Sequence, residues 1–308
     1  MIHPVRIGTR ASPLALKQAR MVAEALRHAH GWGPEWIEIV PTTTTGDVIQ
    51  DRPLSEVGGK GLWTKELDRA LAEGRTDLSV HSMKDVETLR PDELVIGAML
   101  PRADVRDRLI GAESIEALPH WGRVGTSSPR RTAQLLSRRP DLNIVAFRGN
   151  VATRLRRVAM GEADATLLAA AGLDRLGQGA VGTVIDGMLP APAQGAIGIE
   201  VAASNKRVRE LVQAIDDRPT HICISAERRL LAGLGGSCRS PVASLATLDG
   251  DAVILRAEIL TNDGSEFEAG EVSFPAGDDE APLALARHLL KQASPALNAL
   301  FAGEAASS

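Results

Sequence analysis

The fold class follows from residues 5–26, VRIGTRASPLALKQARMVAEAL. Residues 5–8 form a short apolar strand, and Ser12-Pro13 supplies a helix N-cap with proline at the first helical position. The apolar side chains that follow are spaced as on one face of a helix: Leu14, Leu16, Ala19, Val22 and Leu26. A strand that passes directly into an amphipathic helix is typical of α/β proteins.

This strand–helix unit recurs through the first two-thirds of the chain, as expected for parallel α/β construction. Predicted strands cover residues 5–8, 36–40, 78–81, 94–100, 123–125, 142–147, 164–169 and 197–201. Further predicted helices cover residues 64–73, 130–138 and 151–160. Proline breaks at Pro101 and residues 190–192 delimit a second lobe, and strand 197–201 is expected to return to the first. We therefore expect two lobes joined by two crossings, with a ligand cleft between them.

The character of the sequence changes near residue 219. Helices are predicted for residues 221–232 and 282–300, and between them lie antiparallel strands at residues 242–248, 252–260 and 266–274. Turn signals at Asp249-Gly250 and Asn262-Asp263-Gly264 separate these strands. The expected division is domain 1, residues 1–100 plus 195–218; domain 2, residues 101–194; and domain 3, residues 219–308, a small α+β domain.

The composition indicates real cores with few aromatic residues. Hydrophobic residues make up 44% of the 308, but with four Trp, four Phe and no Tyr the cores must consist of Leu, Val, Ile and Ala. No segment approaches eighteen uninterrupted apolar residues and the N-terminus has no apolar signal region, so we expect a cytoplasmic protein without a membrane partner. Two cysteines in different contexts predict no disulfide framework.

Positive charge is concentrated in one region. The net charge is −4, yet residues 101–194 contain thirteen arginines, no lysine and nine acidic residues, a balance of +4. Codon usage can explain why arginine outnumbers lysine 29 to 6, but several arginines stand where strands pass into helices. Guanidinium binds carboxylate and phosphate through two parallel hydrogen bonds. Nucleic acid is a poor fit, because flanking aromatics are missing and the overall charge is negative.

Three strand–helix junctions share the chemistry of an anion site: residues 9–13, residues 126–131, and Arg148-Gly149-Asn150 with Arg154 one turn later. Each combines polar side chains, backbone N–H groups and arginine at a helix N-terminus, whose dipole already favours anions. Any one of these junctions could be explained without a ligand, by a helix cap beside a solvent-exposed arginine. Three alike, divided between two lobes, favour a polyanionic ligand.

The two cysteines have different surroundings. Cys238 lies in the loop LGGSCRSP, residues 234–241, where glycines allow a ligand to approach closely. Cys223 lies in an apolar run and is expected to be a core thiol. A cysteine hydrolase would need a histidine base beside Cys238, and neither His81 nor His221 has a recognisable motif spacing.

Asp85 follows a predicted strand end in the first lobe, where ligands of parallel sheets bind. It could form a surface ion pair with Lys84, which would contribute little. In a cleft rich in cations, the carboxylate would stay ionised and could act as an acid–base catalyst.

These motifs, taken in order, resemble the porphobilinogen deaminase (hydroxymethylbilane synthase) family over essentially the full chain. The segments that carry the resemblance are GTRASPLA (8–15), GGKGL (58–62) with Lys65-Glu66, HSMKDV (81–86), GTSSPRR (125–131), RGNV (148–151) with TRL (153–155), AGL (171–173) with Arg175-Leu176, QGA (194–196) and the Cys238 loop. Each motif alone is weak, but so many in order are very specific.

The resemblance implies an α/β protein with two periplasmic-binding-protein-like lobes forming a clamshell and a small C-terminal α+β domain. It implies a transferase that condenses four porphobilinogen molecules head to tail onto a dipyrromethane cofactor, held by Cys238 through a thioether. Ammonia is released each time, and hydrolysis frees hydroxymethylbilane. A fixed carboxylate and an arginine-lined cleft suit this chemistry, because the reaction passes through a cation and each ring brings two carboxylates. No metal is implied, and a monomer is expected.

Motif by motif, the resemblance also implies roles for single residues. Asp85 is the implied catalytic carboxylate. Cofactor binding is implied for Cys238, Lys84, Thr126, Ser128, Arg130 and Arg131. Binding of substrate and growing-chain carboxylates is implied for Arg10, Ser12, Lys60, Arg148, Arg154 and Arg175.

A few positions depart from the family pattern. Trp63 stands where phenylalanine is usual, and Ala193 stands where glycine is usual before Gln194. Glu87 replaces a common proline, which is expected to loosen the loop after Asp85. Ser237 and Arg239 flank Cys238 in a variant form of its loop. The main rival is a solute-binding module for a small polycarboxylate, which predicts an export signal and leaves Cys238 and the third domain without a role.

Overall fold

The computed structural model describes residues 4–44, 64–237 and 240–302. The chain forms two compact units: unit 1 comprises Met1–Ala103 with Gly195–His221, and unit 2 comprises Asp104–Gln194 with Ile222–Ser308. The segments predicted as domains 2 and 3 thus lie together in unit 2, and the division into three domains stays a prediction. The GGKGL motif (58–62) with Lys60, and also Trp63, Cys238 and Arg239, lie outside the described residues.

The described part of the chain contains the following elements in chain order. The strands are β1 (Val5–Arg10), β2 (Ile37–Thr42), β3 (Leu78–Ser82), β4 (Leu94–Met99), β5 (Asp107–Ile110), β6 (Arg123–Gly125), β7 (Asn143–Val145), β8 (Ala165–Ala169), β9 (Thr183–Ile185), β10 (Ile197–Ala202), β11 (Val242–Asp249), β12 (Ala252–Leu260) and β13 (Phe267–Pro275). The helices are α1 (Pro13–His30), α2 (Lys65–Ala72), α3 (Pro129–Arg138), α4 (Val151–Ala159), α5 (Ala170–Arg175), α6 (Lys206–Gln213), α7 (Arg218–Gly233), α8 (Glu280–Gln292) and α9 (Pro295–Ala302).

Unit 1 is built on a five-stranded sheet in the order β2-β1-β3-β10-β4. β1 is parallel to β2 and β3, whereas β10 runs antiparallel to β3 and β4. The expected return of strand 197–201 to the first lobe is therefore confirmed. The core between the sheet and its helices is aliphatic and includes Ile7, Val22, Leu26, Leu78, Ile199 and Val212.

The second lobe, in unit 2, repeats this arrangement in the order β7-β6-β8-β5-β9. β6 is parallel to β7 and β8, and β5 runs antiparallel to β8 and β9. Both sheets are thus mixed rather than wholly parallel, and β5 and β9 were absent from the sequence prediction. The core contains Leu109, Val124, Leu135 and Leu167. The predicted two α/β lobes are confirmed.

The remainder of unit 2 is a three-stranded antiparallel sheet, β11-β12-β13, covered by helices, as predicted. The single helix predicted for residues 282–300 is wrong: α8 and α9 are separate helices, because Pro295 lacks an N–H and disfavours helical geometry at Ser294. Cys223 is 7% exposed in the core of this region, so the prediction of a core thiol is confirmed.

The antiparallel sheet packs closely on α3 of the second lobe. Gly264, in the β12–β13 turn, has φ +68°, and a Cβ placed there would lie 2.1 Å from the carbonyl oxygen of Ala133. The backbone N–H of Ser244 in β11 donates to the carbonyl oxygen of Pro190 at 3.0 Å. Within unit 2, the region that leads into and out of the Cys238 loop is therefore held against the second lobe.

Candidate active site

Asp85 stands at the carboxyl edge of the unit 1 sheet. β3 ends at Ser82 and passes into a 3₁₀ turn, Met83–Asp85, closed by a hydrogen bond from the Val86 N–H to the Met83 carbonyl oxygen at 3.2 Å. Because β1 runs parallel to β3, Arg10 at the end of β1 lies at the same edge. The side chain of Asp85 is half-buried.

A cavity of about 60 Å³ opens at this edge. It is large enough for several water molecules. Its lining brings together the sequence-predicted residues Arg10, Ser12 and Asp85 with residues that were not predicted as ligands, among them Gln18, Thr64 and His81.

The N-terminus of α1 forms one wall of the cavity. Ser12 accepts a hydrogen bond from the Ala15 N–H at 3.3 Å, and Pro13 occupies the first turn, as the sequence predicted. The side chain of Thr9 is fully buried and donates to the Ala15 carbonyl oxygen at 3.2 Å. An 18-residue helix thus directs its positive end towards the same space as Arg10.

Gln18 fixes the residue just before the turn that carries Asp85. Its amide exchanges two hydrogen bonds with the hydroxyl of Ser82, at 2.8 and 3.1 Å. Gln18 is 2% exposed, on the face of α1 that also carries Ala15, Ala19 and Val22. A glutamine at a core-facing helix position was the signal that could have marked it.

A glycine on the neighbouring strand makes room for the turn. Met83 is 1% exposed, and its N–H donates to the Ala196 carbonyl oxygen at 3.1 Å. A Cβ at Gly198 would lie 2.1 Å from Met83 Sδ, well inside van der Waals contact. Any larger residue at position 198 would therefore force the Met83 side chain to move from the place it occupies beside β10.

A buried ionic network supports the other side of the turn. Glu200 is fully buried; Arg90 donates to its carboxylate at 2.8 and 3.0 Å, and His81 Nε2 lies 3.0 Å away. Burial alone would raise the pKa of Glu200, but the hydrogen bond and charge of His81, together with those of Arg90, lower it to about 2. Since an ionised carboxylate only accepts hydrogen bonds, His81 Nε2 must carry the proton.

Arg90 also ties down the segment that follows Asp85. It donates to Thr64 and to Glu87, both at 3.2 Å. Burial raises the pKa of Glu87 above its usual value despite this ion pair. Glu87, which replaces the expected proline, is thus anchored by Arg90, and the loosening expected from this replacement is offset by a direct contact.

Two of the predicted residues of the second lobe, Arg130 and Arg131, form ion pairs with Asp107. Arg130 Nη1 lies 2.8 Å from one carboxylate oxygen of Asp107, and Arg131 Nη2 lies 2.7 Å from the other. Both arginines and Asp107 are at least 95% buried. Burial would raise the pKa of Asp107, yet the charges of Arg130 and Arg131 hold it well below its usual range. Asp107 lies in β5, which was not predicted, so its role was missed.

The hydroxyls of the same junction are held by local hydrogen bonds. Ser128 caps α3 by accepting from the Arg131 N–H at 3.4 Å, and Thr126 Oγ1 accepts from the Ser128 N–H at 3.2 Å. Ser127 donates to the Phe147 carbonyl oxygen at 2.8 Å. The predicted helix N-terminus is confirmed, while the ligand roles of Thr126 and Ser128 stay predictions.

The remaining predicted arginines are half-buried in unit 2. Arg154, in α4, donates to the Gly149 carbonyl oxygen at 3.1 Å, behind the cap that Asn150 provides to Thr153. Arg175 ends α5, where burial lowers its pKa to about 10. Arg148 lies in the loop before α4, and Lys84 lies beside Asp85 in unit 1.

Hydrogen bonds join the described residues on either side of Cys238 and Arg239. α7 ends at Gly233, Gly235 has φ +66°, and the Ser237 N–H donates to Ser240 Oγ at 3.0 Å. The Ser240 N–H donates back to the Ser237 carbonyl oxygen at 3.0 Å. Within the described ranges, no group of three or more His, Cys, Asp or Glu side chains could hold a metal ion. No helix in this part of the chain is long and apolar enough to span a bilayer.

Comparisons with known proteins agree with the motifs. Residues 5–210 match the family "Porphobilinogen deaminase, dipyromethane cofactor binding domain", and residues 221–291 match "Porphobilinogen deaminase, C-terminal domain". The chain belongs to the porphobilinogen deaminase family. The chain is 56% identical to the porphobilinogen deaminase of Sphingopyxis alaskensis, with 97% of each chain covered, and 51% identical to that of Paracoccus denitrificans, with 91% of each covered.

Membership in this family confirms the predicted resemblance, the enzyme class and the dipyrromethane cofactor. The solute-binding and hydrolase alternatives lose their support, because both family models that match the chain, including the one over residues 221–291, are of porphobilinogen deaminase. Among solved structures, the chain is similar to the periplasmic VFT2 domain of BvgS from Bordetella pertussis, with a TM-score of 0.41 and 14% identity over 70% of this chain and 87% of that one.

Proposed function

We propose that this member of the family condenses four porphobilinogen molecules head to tail, with Asp85 as its acid–base residue, and hydrolyses off the linear tetrapyrrole hydroxymethylbilane. The observation that carries the assignment of Asp85 is the unit 1 cavity, which this carboxylate shares with Arg10 and Ser12. A group for proton transfer and a group for substrate carboxylates are presented together there.

Asp85 is suited to proton transfer because no other group in the described part of the chain binds its carboxylate. The described residues supply no hydrogen bond or ion pair to it, although its side chain is half-buried. It can hydrogen-bond the aminomethyl nitrogen and the pyrrole N–H of porphobilinogen, and it can stabilise the cation that remains when ammonia leaves. It can then accept the proton released from the ring carbon at which the new bond forms.

The residues around Asp107 fit the carboxylates of the dipyrromethane. Arg130 and Arg131 both lie on the single carboxylate of Asp107, and Arg130 Nε is buried without a hydrogen-bond acceptor among the described residues. A buried donor without an acceptor is costly, and a carboxylate beside two guanidinium groups is stabilised by their charge. When bound, the dipyrromethane supplies the nucleophilic pyrrole carbon on which the chain is built.

Hydroxyl donors add to this anion site. Ser128 and Thr126 each accept a backbone N–H and retain an O–H that can donate to a carboxylate. We assign cofactor carboxylates to Arg130, Arg131, Ser128 and Thr126. The roles of Lys84 beside Asp85 and of Cys238 as the thioether anchor stay predictions, and Cys238 lies outside the described residues.

Substrate carboxylates have further cationic partners. Each porphobilinogen brings an acetate and a propionate, so a lengthening chain needs several guanidinium groups. We assign this role to Arg10 with Ser12 in unit 1 and to Arg148, Arg154 and Arg175 in unit 2. Lys60, predicted for the same role, lies outside the described residues. Monomeric state and cytoplasmic location also stay predictions.

Two variants test the proposal. Intact-mass analysis should show two pyrrole units added to the protein and no addition in Cys238→Ser. Asp85→Asn should fold normally and lose at least ~100-fold in kcat, since general acid–base catalysis contributes about 10²–10⁴-fold. The exposed Asp92 provides a matched control, and Asp92→Asn should keep wild-type kcat. An Asp85→Asn enzyme with near-normal turnover would exclude the assignment of Asp85.

A further inference from the structure

Gln134 lies between the arginine pair and the region that carries the Cys238 loop. It is 4% exposed on α3, one helical turn after Arg130. Gln134 Oε1 accepts from Arg130 Nη1 at 3.1 Å, while Nε2 donates to Glu258 in β12 at 2.8 Å and to the Leu189 carbonyl oxygen at 3.1 Å. All three partners are in unit 2.

The orientation of this amide is dictated by its neighbours. Arg130 can only donate, whereas the Leu189 carbonyl and the Glu258 carboxylate can only accept at these positions. Turning the amide round would place a donor against Arg130 and an acceptor against two acceptors. Gln134 therefore has one favourable orientation, and its oxygen is always directed at the guanidinium.

Arg130 is itself held in place, because one of its nitrogens donates to three acceptors. Its Nη1 contacts Asp107 at 2.8 Å, Gln134 at 3.1 Å and the Leu189 carbonyl oxygen at 3.3 Å. Because the guanidinium is planar, these contacts fix the direction of its other N–H groups, including the buried Nε that has no acceptor in the described part of the chain.

We propose that Gln134 is a positioning residue, which aims Arg130 at a carboxylate of the dipyrromethane and sets that arginine relative to the β12 strand of the cofactor-bearing region. The inference rests on the proposed role of Arg130 in cofactor binding. It assigns to Gln134 no contact with the cofactor or with the reacting atoms.

The test compares Gln134→Met in two backgrounds, the wild-type chain and Cys238→Ser, which lacks the cofactor. Methionine keeps the length of the side chain and removes both its acceptor and its donor. A positioning role predicts that the substitution lowers the Tm of the cofactor-bearing protein by about 2–4 °C more than that of the Cys238→Ser protein. It also predicts a smaller fraction of purified chains carrying the cofactor by intact mass.

A purely structural role would lower Tm equally in both backgrounds and leave the cofactor fraction unchanged, and this result would overturn the inference. The matched control is Gln213→Met, at an exposed helical position of unit 1, which should alter neither quantity. If Gln134→Met does not fold, Gln134→Asn takes its place. The shorter side chain keeps the amide but withdraws its oxygen from Arg130, so an unchanged cofactor fraction together with an equal loss of Tm in both backgrounds would again refute the role.

Failure of the underlying function has a different signature. If the wild-type chain carries no added mass, or if the added mass survives Cys238→Ser, the proposed anchoring is wrong whatever Gln134 does. If the wild-type chain carries the cofactor and Gln134→Met lowers Tm equally in the wild-type and Cys238→Ser backgrounds, only the positioning role is wrong.

Discussion

Gly198→Ala should displace the turn that carries Asp85. The new Cβ would lie 2.1 Å from Met83 Sδ and 2.9 Å from its Cγ, so the thioether must retreat by about 1.5 Å to reach ordinary contact. Met83 is 1% exposed and has little space to do so. Overpacking of this kind costs ~1–3 kcal/mol of unfolding free energy, and a misplacement of ~1 Å near the chemistry can cost about 100-fold in rate.

Steady-state kinetics and urea unfolding measure both effects of Gly198→Ala. We expect kcat to fall by about 100-fold, with a smaller change in KM because Arg10 and Ser12 lie on other elements. In a Met83→Ala background the clash is relieved, so adding Gly198→Ala should then cost much less in both assays. Wild-type kcat in the single variant, or an equal loss in both backgrounds, would refute the steric reasoning.

Three other variants test the ionic network around Glu200, the backbone conformation of Ala193 and the packing of the β11-β12-β13 sheet on α3. Glu200→Gln should lower the unfolding free energy at pH 7 by ~1.5–3 kcal/mol, because it removes the charge that binds Arg90 and His81, while Asp68 and Glu87 still pair with Arg90. Since the pKa of Glu200 is lowered from 4.5 to about 2, its contribution is complete above pH 4.5 and lost as the pH falls towards 2. Urea titrations across this range should show that loss in the wild type and not in the variant. Ala193→Gly should raise Tm by ~2–4 °C, because Ala193 has φ +63°, where a Cβ costs about 1 kcal/mol; a lower Tm would contradict this. Gly264→Ala should lower Tm, since its Cβ would meet a carbonyl oxygen of α3 at 2.1 Å, and an unchanged Tm would show that the turn is free to move.

Local sequence signals predicted the elements that place Arg10, Ser12 and Asp85. The β1–α1 junction is determined within a few residues by a strand, a serine cap and a proline, and its Ser12 cap is found in the structure. The break at Pro295 also had a local signal, which the strong apolar spacing of the flanking residues obscured. Both features depend on residues that are adjacent in the chain, so they can be predicted from the sequence alone.

Other features depend on partners far away in the chain. β5 has four residues and a charged start, and it becomes a strand because β8 and β9 pair with both its edges. Glu200 is buried as an ion because it pairs with His81 and Arg90, and both of these residues lie more than a hundred positions earlier in the chain. No local pattern distinguishes such residues from solvent-exposed charges, so the network behind Asp85 and the Asp107 cluster could not be predicted.

The central position of β10 has a consequence for biosynthesis. β10 lies between β3 and β4, yet 97 residues separate the end of β4 at Met99 from the start of β10 at Ile197. At ~5–20 residues per second, the ribosome needs about 5–20 s to produce them. During that interval β3 and β4 each expose an unpaired edge on the nascent chain, while the second lobe, whose β-sheet is contiguous in sequence, can already fold. Translation that stalls before Ile197 therefore leaves an aggregation-prone half-sheet, a substrate for chaperones.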